Sequence, residues 1–133
     1  MPVSDKSFNN IKIHTQYSIC EGAIKIDDLA EYCKTNKIKS LGLTDSYNLC
    51  GALEFSEKLS KVGTHPIIGT QINLCFQNIV GKVTLYAKTE QGFKNLTKLS
   101  SLSYLNNNKT DEPSCGLSDL ISNNQDLILL TGN

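Results

Sequence analysis

Apolar and polar positions follow two different periods along the first half of the chain. Isoleucines at every second position predict a short strand that ends near His14. Apolar residues then recur at helical spacing over 26–37, with acidic residues in the first turn and lysines in the last, which predicts a helix. A short apolar strand is predicted over 38–45, and a second helix over 50–63 with Gly63 as its C-terminal cap.

The second half continues this alternation, with three strands and two helices around one polar loop. In chain order, the pattern predicts strands over 65–77 and 81–89, a helix over 90–105, a polar loop over 106–116, a helix over 117–124 and a buried strand over 126–133. The longest helix has an apolar stripe made by Phe93, Leu96, Leu99 and Leu102.

Strands that alternate with helices predict an α/β fold with a mostly parallel sheet. A βα barrel is favoured over a doubly wound sheet, because the strands and helices follow closely and no G-x-G-x-x-G comes after the first strand. A sheet of about five strands would leave a parallel edge open, and proteins normally cover such edges. We therefore expect residues 1–133 to be a partial domain, the N-terminal part of a larger protein.

The charge of the chain argues against a nucleic-acid surface in this segment. Thirteen basic residues balance thirteen acidic ones, and every basic residue is a lysine. Without arginine the segment lacks the planar group that makes bidentate contacts to phosphates and guanine edges. We expect that DNA is not gripped here.

The cysteines and the apolar runs indicate a soluble cytoplasmic protein. Five cysteines are scattered without a C-x-x-C pair, so their spacing fits neither a zinc ribbon nor a disulfide framework, and reduced thiols are expected. The N-terminus has no apolar stretch typical of a signal peptide, and no run is long enough to cross a membrane.

Three polar residues lie where an α/β barrel places its chemistry, at the C-terminal ends of strands. His14 ends the first predicted strand, Asp45 ends the second, and Gln71 lies within the third. His14 and Asp45 could share a divalent cation. Equally, the histidine could bond a backbone carbonyl, and the segment after Asp45 has good turn and N-cap chemistry by itself. His65, directly before Pro66, is interpreted as a loop histidine.

Four segments resemble one known family in order and spacing: "IHTQYSICEGA", "LGLTDSYNLCGALEF", "HPIIGTQINL" and "VTLYAKTEQGFKNLTKLSS". They are similar to the PHP (polymerase and histidinol phosphatase) domain that opens the alpha subunit of bacterial replicative DNA polymerase III, a C-family polymerase. The resemblance runs over 8–133. It implies a distorted seven-stranded βα barrel, of which this chain supplies about five strands, with divalent metals at the strand ends in active members.

The same resemblance implies that most metal ligands are replaced. Active members begin with H-x-H, but this chain has Lys12 in place of the first histidine. Ser46 stands where active members carry the histidine of "TDH", Gln71 stands at an expected carboxylate, and Lys82 stands near a further histidine position. An ammonium group has no lone pair to donate, a serine is a poor ligand, and a glutamine lacks the charge.

What remains of the implied site is His14, Glu21 and Asp45. These three do not suffice for a cluster that bridges two metals, which needs several carboxylates and imidazoles. We therefore expect a degenerate site without metal and without a cofactor in this segment.

The resemblance also implies a role. The parent chain would carry out template-directed DNA synthesis, with Mg²⁺ in a downstream palm domain and DNA bound outside this segment. The segment would be a structural module that docks a proofreading exonuclease subunit, within the replicase holoenzyme and joined to the remainder of the polymerase chain. Two alternatives stay open: a metal-dependent PHP phosphoesterase, which would need the replaced ligands, and a proofreading PHP nuclease with ligands supplied by the remainder of the chain.

Overall fold

A computed structural model of the chain describes residues 8–106 and 112–132. Within these ranges the chain forms one mixed sheet of five strands and four helices. In chain order, the elements are α1 Ile26–Asn36, β1 Ser40–Ser46, α2 Ala52–Lys61, β2 His65–Phe76, β3 Ile79–Ala87, α3 Glu90–Leu105, β4 Ser114–Gly116, α4 Leu117–Ser122 and β5 Leu127–Thr131. The α/β class predicted from the sequence is confirmed.

Four strands share one direction and β3 runs against them. The sheet order is β1-β2-β3-β5, with β4 paired to β2. β1 and β4 are parallel to β2, whereas β3 is antiparallel to both β2 and β5. The prediction of a mostly parallel sheet is therefore wrong for the pairs that β3 makes. Gln77 and Asn78 both adopt left-handed conformations, with φ of 48° and 65°, and so close a tight two-residue hairpin between β2 and β3.

The first predicted strand does not form, and residues 8–14 lie beside β1 without regular structure. Gly42 N–H donates to the carbonyl of Asn10 and Thr44 N–H donates to that of Ile13, each at 2.9 Å. The two donors are two residues apart but the two acceptors are three apart. One extra residue on the N-terminal side thus prevents a regular ladder.

All four helices pack on one face of the sheet. α1 and α2 cover β1 through a buried cluster that includes Phe55 and Leu43. α3 and α4 cover the β2–β3 hairpin through a second cluster that includes Ile72 and Leu85. The strand registers place Leu43, Ile72 and Leu85 on the same face. The opposite face is left for polar side chains at the C-terminal ends of β1 and β2.

The helix ends match the sequence closely. The helix predicted over 90–105 is α3, and Thr89 caps it by accepting a hydrogen bond from Gly92 N–H at 3.2 Å. Gly63 has φ of 83° after α2, as predicted for a C-terminal cap, and the N–H groups of Gly63 and Thr64 donate to the last turn of that helix.

Several details differ from the sequence predictions. The buried face of α3 is centred on Leu96 and Leu99, but Phe93 is 38% exposed. The strand predicted as buried, β5, is an exposed edge, with Ile128 at 46% exposure. Side chains on both faces of β5 are exposed. Among the described residues, only β3 pairs with this strand.

The polar loop predicted over 106–116 is shorter than expected, because its last three residues form β4 against β2. Residues 107–111 of that loop lie outside the described residues. His65 is the exposed first residue of β2, not a loop residue. All five cysteines are free thiols, as expected. Within the described ranges, no helix is long and apolar enough to span a membrane.

Candidate functional site

A compact turn over 15–22 brings the predicted site residues to the C-terminal end of β1. Ser18 N–H donates to the Thr15 carbonyl, and the N–H groups of Glu21 and Gly22 donate to the Ser18 carbonyl. A Cβ atom on Gly22 would lie 2.1 Å from the Thr15 carbonyl oxygen, so only glycine fits there. The sequence "TQYSICEG" therefore forms a tight turn that presents His14 and Glu21 side by side.

The turn is fastened from outside by two side chains. The Tyr17 hydroxyl donates to the Glu54 carboxylate on α2 at 2.7 Å. The Asn48 side-chain amide donates to the Tyr17 carbonyl at 2.9 Å. These contacts fix the turn against α2 and against the segment that follows β1.

Asp45 is the buried anchor of the turn. Its Oδ1 accepts hydrogen bonds from Thr15 N–H at 2.6 Å and from the Ser18 hydroxyl at 2.7 Å, and its Oδ2 accepts from the Thr15 hydroxyl at 2.7 Å. Asp45 is 1% exposed and shares its face of β1 with Leu41 and Leu43, which contact the helices. Both carboxylate oxygens thus accept hydrogen bonds from donors in the turn.

Ser46, Gln71 and Lys82 share the other face of the sheet. Ser46 lies opposite Gln71 in the β1–β2 register, and Lys82 lies opposite Asn73 in the β2–β3 register. Residues 71 and 73 alternate onto the same face of β2. The structure therefore brings these three replaced positions together, beside His14 and Glu21.

One ring nitrogen of His14 faces all the hydroxyl and carboxylate groups nearby. Nδ1 lies 3.3 Å from Ser18 Oγ, 3.5 Å from Ser46 Oγ and 3.8 Å from Glu21 Oε2. The Ser46 hydroxyl in turn donates to the Glu21 carboxylate. A nucleophilic triad needs the serine and the acid on opposite ring nitrogens. The arrangement therefore cannot activate Ser46 as a nucleophile.

Lys82 and Lys12 behave differently. The Lys82 ammonium lies 3.7 Å from Glu21 Oε1 and 6.0 Å from the centre of the Tyr47 ring. The Lys12 ammonium has no ion pair within 8–106 or 112–132. The backbone N–H of Lys12 donates to the Asn10 side chain at 3.1 Å.

Gln71 is buried, and its backbone carbonyl accepts a hydrogen bond from Tyr47 N–H at 2.9 Å.

A second polar group at the same strand ends, the Tyr47 cluster, consists of Tyr47, Asn73 and Glu112. The Tyr47 hydroxyl donates to Glu112 at 2.7 Å and lies 3.3 Å from Asn73 Oδ1. Asn73 Nδ2 also donates to Glu112, at 3.0 Å, and this bond followed by that from Tyr47 holds the pKa of Glu112 below its usual value. Tyr104 donates to the Tyr47 carbonyl at 2.8 Å.

Sequence reasoning missed Thr15, Ser18 and the Tyr47 cluster. Thr15 and Ser18 act through hydrogen bonds to a residue 27 or more positions away, and Tyr47 meets Glu112 across 65 positions. No local sequence pattern predicts contacts between residues so far apart in the chain. The one available signal was the density of hydroxyl residues between His14 and Ser18.

The folded domain is expected to lose stability in alkaline solution as the Tyr47 hydroxyl ionises. Burial, reinforced by the hydrogen bond to Glu112, raises the pKa of Tyr47 to about 12. The folded state therefore favours the neutral hydroxyl over an unfolded tyrosine with a pKa of about 10, and this contribution is complete below about pH 10 and lost as the pH rises to about 12. We expect the melting temperature of the native protein to fall over this window more steeply than that of Tyr47→Phe.

Tyrosinate absorbance and thermal unfolding measured on the same samples check this expectation. Tyr32→Phe, at an exposed position on α1, is the matched control and should keep the native pH profile. Equal slopes for the native protein and Tyr47→Phe would show that Tyr47 does not contribute.

The site offers a poor donor set for a metal. Across 8–106 and 112–132, no three His, Cys, Asp or Glu side chains are grouped so that they could hold an ion. Asp45 already accepts three hydrogen bonds from Thr15 and Ser18, and the Glu21 carboxylate accepts a hydrogen bond from Ser46 and pairs with Lys82. A cleft of about 120 Å³ opens beside them; its lining is Ile19, Glu21, Ser46, Tyr47, Asn48 and Tyr104. The metal that active PHP domains would hold does not fit these residues.

Comparison with known proteins gives one family. The family model described as "PHP domain" matches residues 10–133. Proteins named DNA polymerase III subunit alpha are similar over most of the chain: 34% identity with that of Caulobacter vibrioides over 96% of this chain, and 33% with that of Vibrio cholerae over 98%. That of Helicobacter pylori is 38% identical over 76%. The chain spans 12% or less of the length of these relatives.

Solved structures agree on the fold. A protein of Bifidobacterium adolescentis assigned as a metal-dependent phosphoesterase superposes with a TM-score of 0.52 and 15% identity, over 73% of this chain and 35% of that protein. An amidohydrolase of Chromobacterium violaceum with bound sulfate and no metal gives 0.53 and 13%, over 71% of this chain and 34% of that one. At such identity the likeness concerns the fold alone.

Proposed function

The chain belongs to the PHP domain family, and from that premise we propose that it is the N-terminal part of a bacterial DNA polymerase III alpha subunit whose PHP site has lost its metals. In this proposal the segment is a structural module that docks a proofreading exonuclease. The parent chain makes DNA with Mg²⁺ bound in a downstream palm domain, in the cytoplasm and within the replicase.

Support for the parent activity comes from the relatives named above, each of which carries the name of the polymerase subunit. The order of the matched segments is the same along nearly the whole chain. A primer-extension assay on the full-length protein tests the proposal, with template, primer and deoxynucleotides. Extension supports it, whereas hydrolysis of phosphate esters without extension would favour a free-standing phosphoesterase.

The observation that carries the loss of metal is the chemistry at the ligand positions. Lys82 introduces a positive charge on the face that Ser46 and Gln71 share, and it is paired there with Glu21. Each such charge would repel each charge on a cation within ~4 Å by about 4 kcal/mol at an effective dielectric constant of about 20. The carboxylate oxygens of Asp45, which could ligate a metal, already accept hydrogen bonds from Thr15 and Ser18 in the turn.

Metal analysis of the purified full-length protein is expected to find less than one tightly held zinc, manganese or iron ion per chain. Brief dialysis against a weak chelator removes loosely bound Mg²⁺ from the palm and leaves a PHP cluster in place, since several carboxylates and imidazoles hold such a cluster. Inductively coupled plasma measurement gives the count. Two or more retained ions per chain would refute the loss of metal.

We propose that the remainder of the polymerase chain packs on the exposed strand β5 and in an apolar groove beside it. The groove, of about 990 Å³, runs past the start of β2 and the end of β3, and its apolar lining includes Leu53, Ile67, Phe93, Ile128 and Leu130. Surfaces of this kind are costly to leave in water. Their occupant in the proposal is the rest of the barrel, which pairs with the free edge of β5.

The exonuclease partner is supported by the family resemblance alone. Co-elution of the full-length chain with the exonuclease subunit, compared with a chain that lacks residues 1–133, tests it. Loss of the complex together with retained polymerase activity supports docking on this segment. An unchanged complex after the deletion would contradict it.

A further inference from the structure

We propose that the partly exposed Lys82 ammonium is a positioning cation that ties the turn over 15–22 to the β2–β3 hairpin across the strand ends. This inference rests on the proposed loss of metal. It assigns Lys82 a structural role as a positioning residue, in addition to its repulsion of a metal cation.

The first carboxylate that Lys82 meets belongs to the turn. Glu21 Oε1 lies 3.7 Å from Lys82 Nζ, and the Glu21 carboxylate also accepts a hydrogen bond from the Ser46 hydroxyl. Glu21 Oε2 lies 3.8 Å from His14 Nδ1. Glu21 therefore connects β3 through Lys82 with β1 through Ser46.

A second anionic group, Glu112, is bound to the tyrosine whose ring lies near the ammonium. Lys82 Nζ is 6.0 Å from the centre of the Tyr47 ring, within the range of a cation–π contact. Tyr47 carries Glu112 on its hydroxyl, and the positive charge of Lys82 contributes to the lowered pKa of Glu112, after the hydrogen bonds from Asn73 and Tyr47. Lys82 thus lies near both the carboxylate of the turn and the ring of Tyr47.

The surroundings need a positive charge. Glu21 and Glu112 converge on the strand ends from segments far apart in the chain, and among the described residues Lys82 pairs with Glu21 while its charge also acts on Glu112. With a neutral side chain at position 82, the Glu21 carboxylate would keep, among the residues that the structure describes, only the Ser46 hydroxyl and the His14 ring as neighbours of suitable chemistry. The contact from β3 to the turn would then be lost.

Amide hydrogen exchange on the full-length protein tests this role. In Lys82→Met, exchange over the turn 15–22 is expected to rise between about two- and fivefold, the range that a partly exposed ion pair supports. Exchange in α1 should not change, which shows that the domain remains folded. Lys82→Arg keeps the charge and should retain the native protection of the turn.

A matched control and a double variant complete the design. Lys94→Met breaks an exposed ion pair with Glu90, 2.9 Å long on α3, and should leave exchange in the turn unchanged. Glu21→Gln alone should raise exchange in the turn, and adding Lys82→Met should raise it no further, because both changes remove one contact.

Two results would overturn the inference: native exchange in the turn of Lys82→Met, or fully additive effects of Lys82→Met and Glu21→Gln. Metal analysis of the same preparations separates the two levels of the argument. Either result in a protein without tightly held ions refutes the role of Lys82 and leaves the loss of metal standing. Two or more retained ions would refute the loss of metal itself, and the inference with it.

Discussion

Asp45→Ala is expected to destabilise the domain by about 3–5 kcal/mol, because it leaves several buried donors without an acceptor. The native carboxylate accepts from Thr15 N–H, the Thr15 hydroxyl and the Ser18 hydroxyl at 2.6–2.7 Å, in a position that is 1% exposed. The same change frees the turn that carries Glu21. The substitution is therefore expected to disorder the turn and to lower the stability of the fold at the same time.

Hydrogen exchange of the buried β1 amides measures this free energy of unfolding within the full-length protein. Asp28→Ala is the matched control, since Asp28 is an exposed acid in the first turn of α1 and should cost less than about 1 kcal/mol. A loss below about 1 kcal/mol for Asp45→Ala would show that water replaces the carboxylate at little cost, contrary to the burial of the site.

Restoring the replaced ligands is expected to restore metal binding. The four substitutions that follow the family pattern are Lys12→His, Ser46→His, Gln71→Glu and Lys82→His. Positions 46, 71 and 82 share one face of the sheet, and His14 lies 3.5 Å from the Ser46 hydroxyl. Imidazole and carboxylate groups are ligands that zinc and manganese accept, and the substitutions also remove two positive charges. We expect at least one tightly held ion per chain and an affinity for Zn²⁺ at least about a thousandfold above that of the native protein, equivalent to about 4 kcal/mol.

Calorimetric titration of the full-length proteins with Zn²⁺ measures this affinity. The control adds His14→Ala to the four substitutions, which removes the surviving histidine and should lower the affinity again. A variant that folds but gains no affinity would mean that the strand ends no longer have the spacing of a metal site. The degenerate site would then be a change of backbone geometry as well as of side chains.

The fold could be predicted wherever a local rule decides it. Apolar periodicity located α1, α2 and α3 to within two or three residues, and Gly63 marked the end of α2 because left-handed backbone favours glycine. The direction of β3 could not be predicted, since Gln77 and Asn78 lack the usual hairpin signature and their left-handed conformations depend on the pairing of the strands they join. The irregular pairing of the N-terminal segment with β1 at Gly42, with one extra residue, could not be predicted either, because it also depends on which segments pair in the folded chain.

The identity of the site residues depended on sequence, and their roles depended on tertiary contacts. The matched segments named the positions of lost ligands at Lys12, Ser46, Gln71 and Lys82, because residue type alone decides whether a side chain has lone pairs to donate. The same reasoning placed Asp45 among the surviving ligands. The folded protein adds that its carboxylate accepts three hydrogen bonds from Thr15 and Ser18.

The sequence by itself thus determined the family and the helices and is the basis of the proposed loss of ligating groups, since each of these follows from residue type and short-range spacing. Only the tertiary structure decided which surviving groups meet. Lys82 reaches Glu21 across 61 positions, and Tyr47 reaches Glu112 across 65. The cause is physical: hydrogen bonds and ion pairs act over a few ångströms, and which distant residues come within that distance is set by the strand register and by the direction of β3.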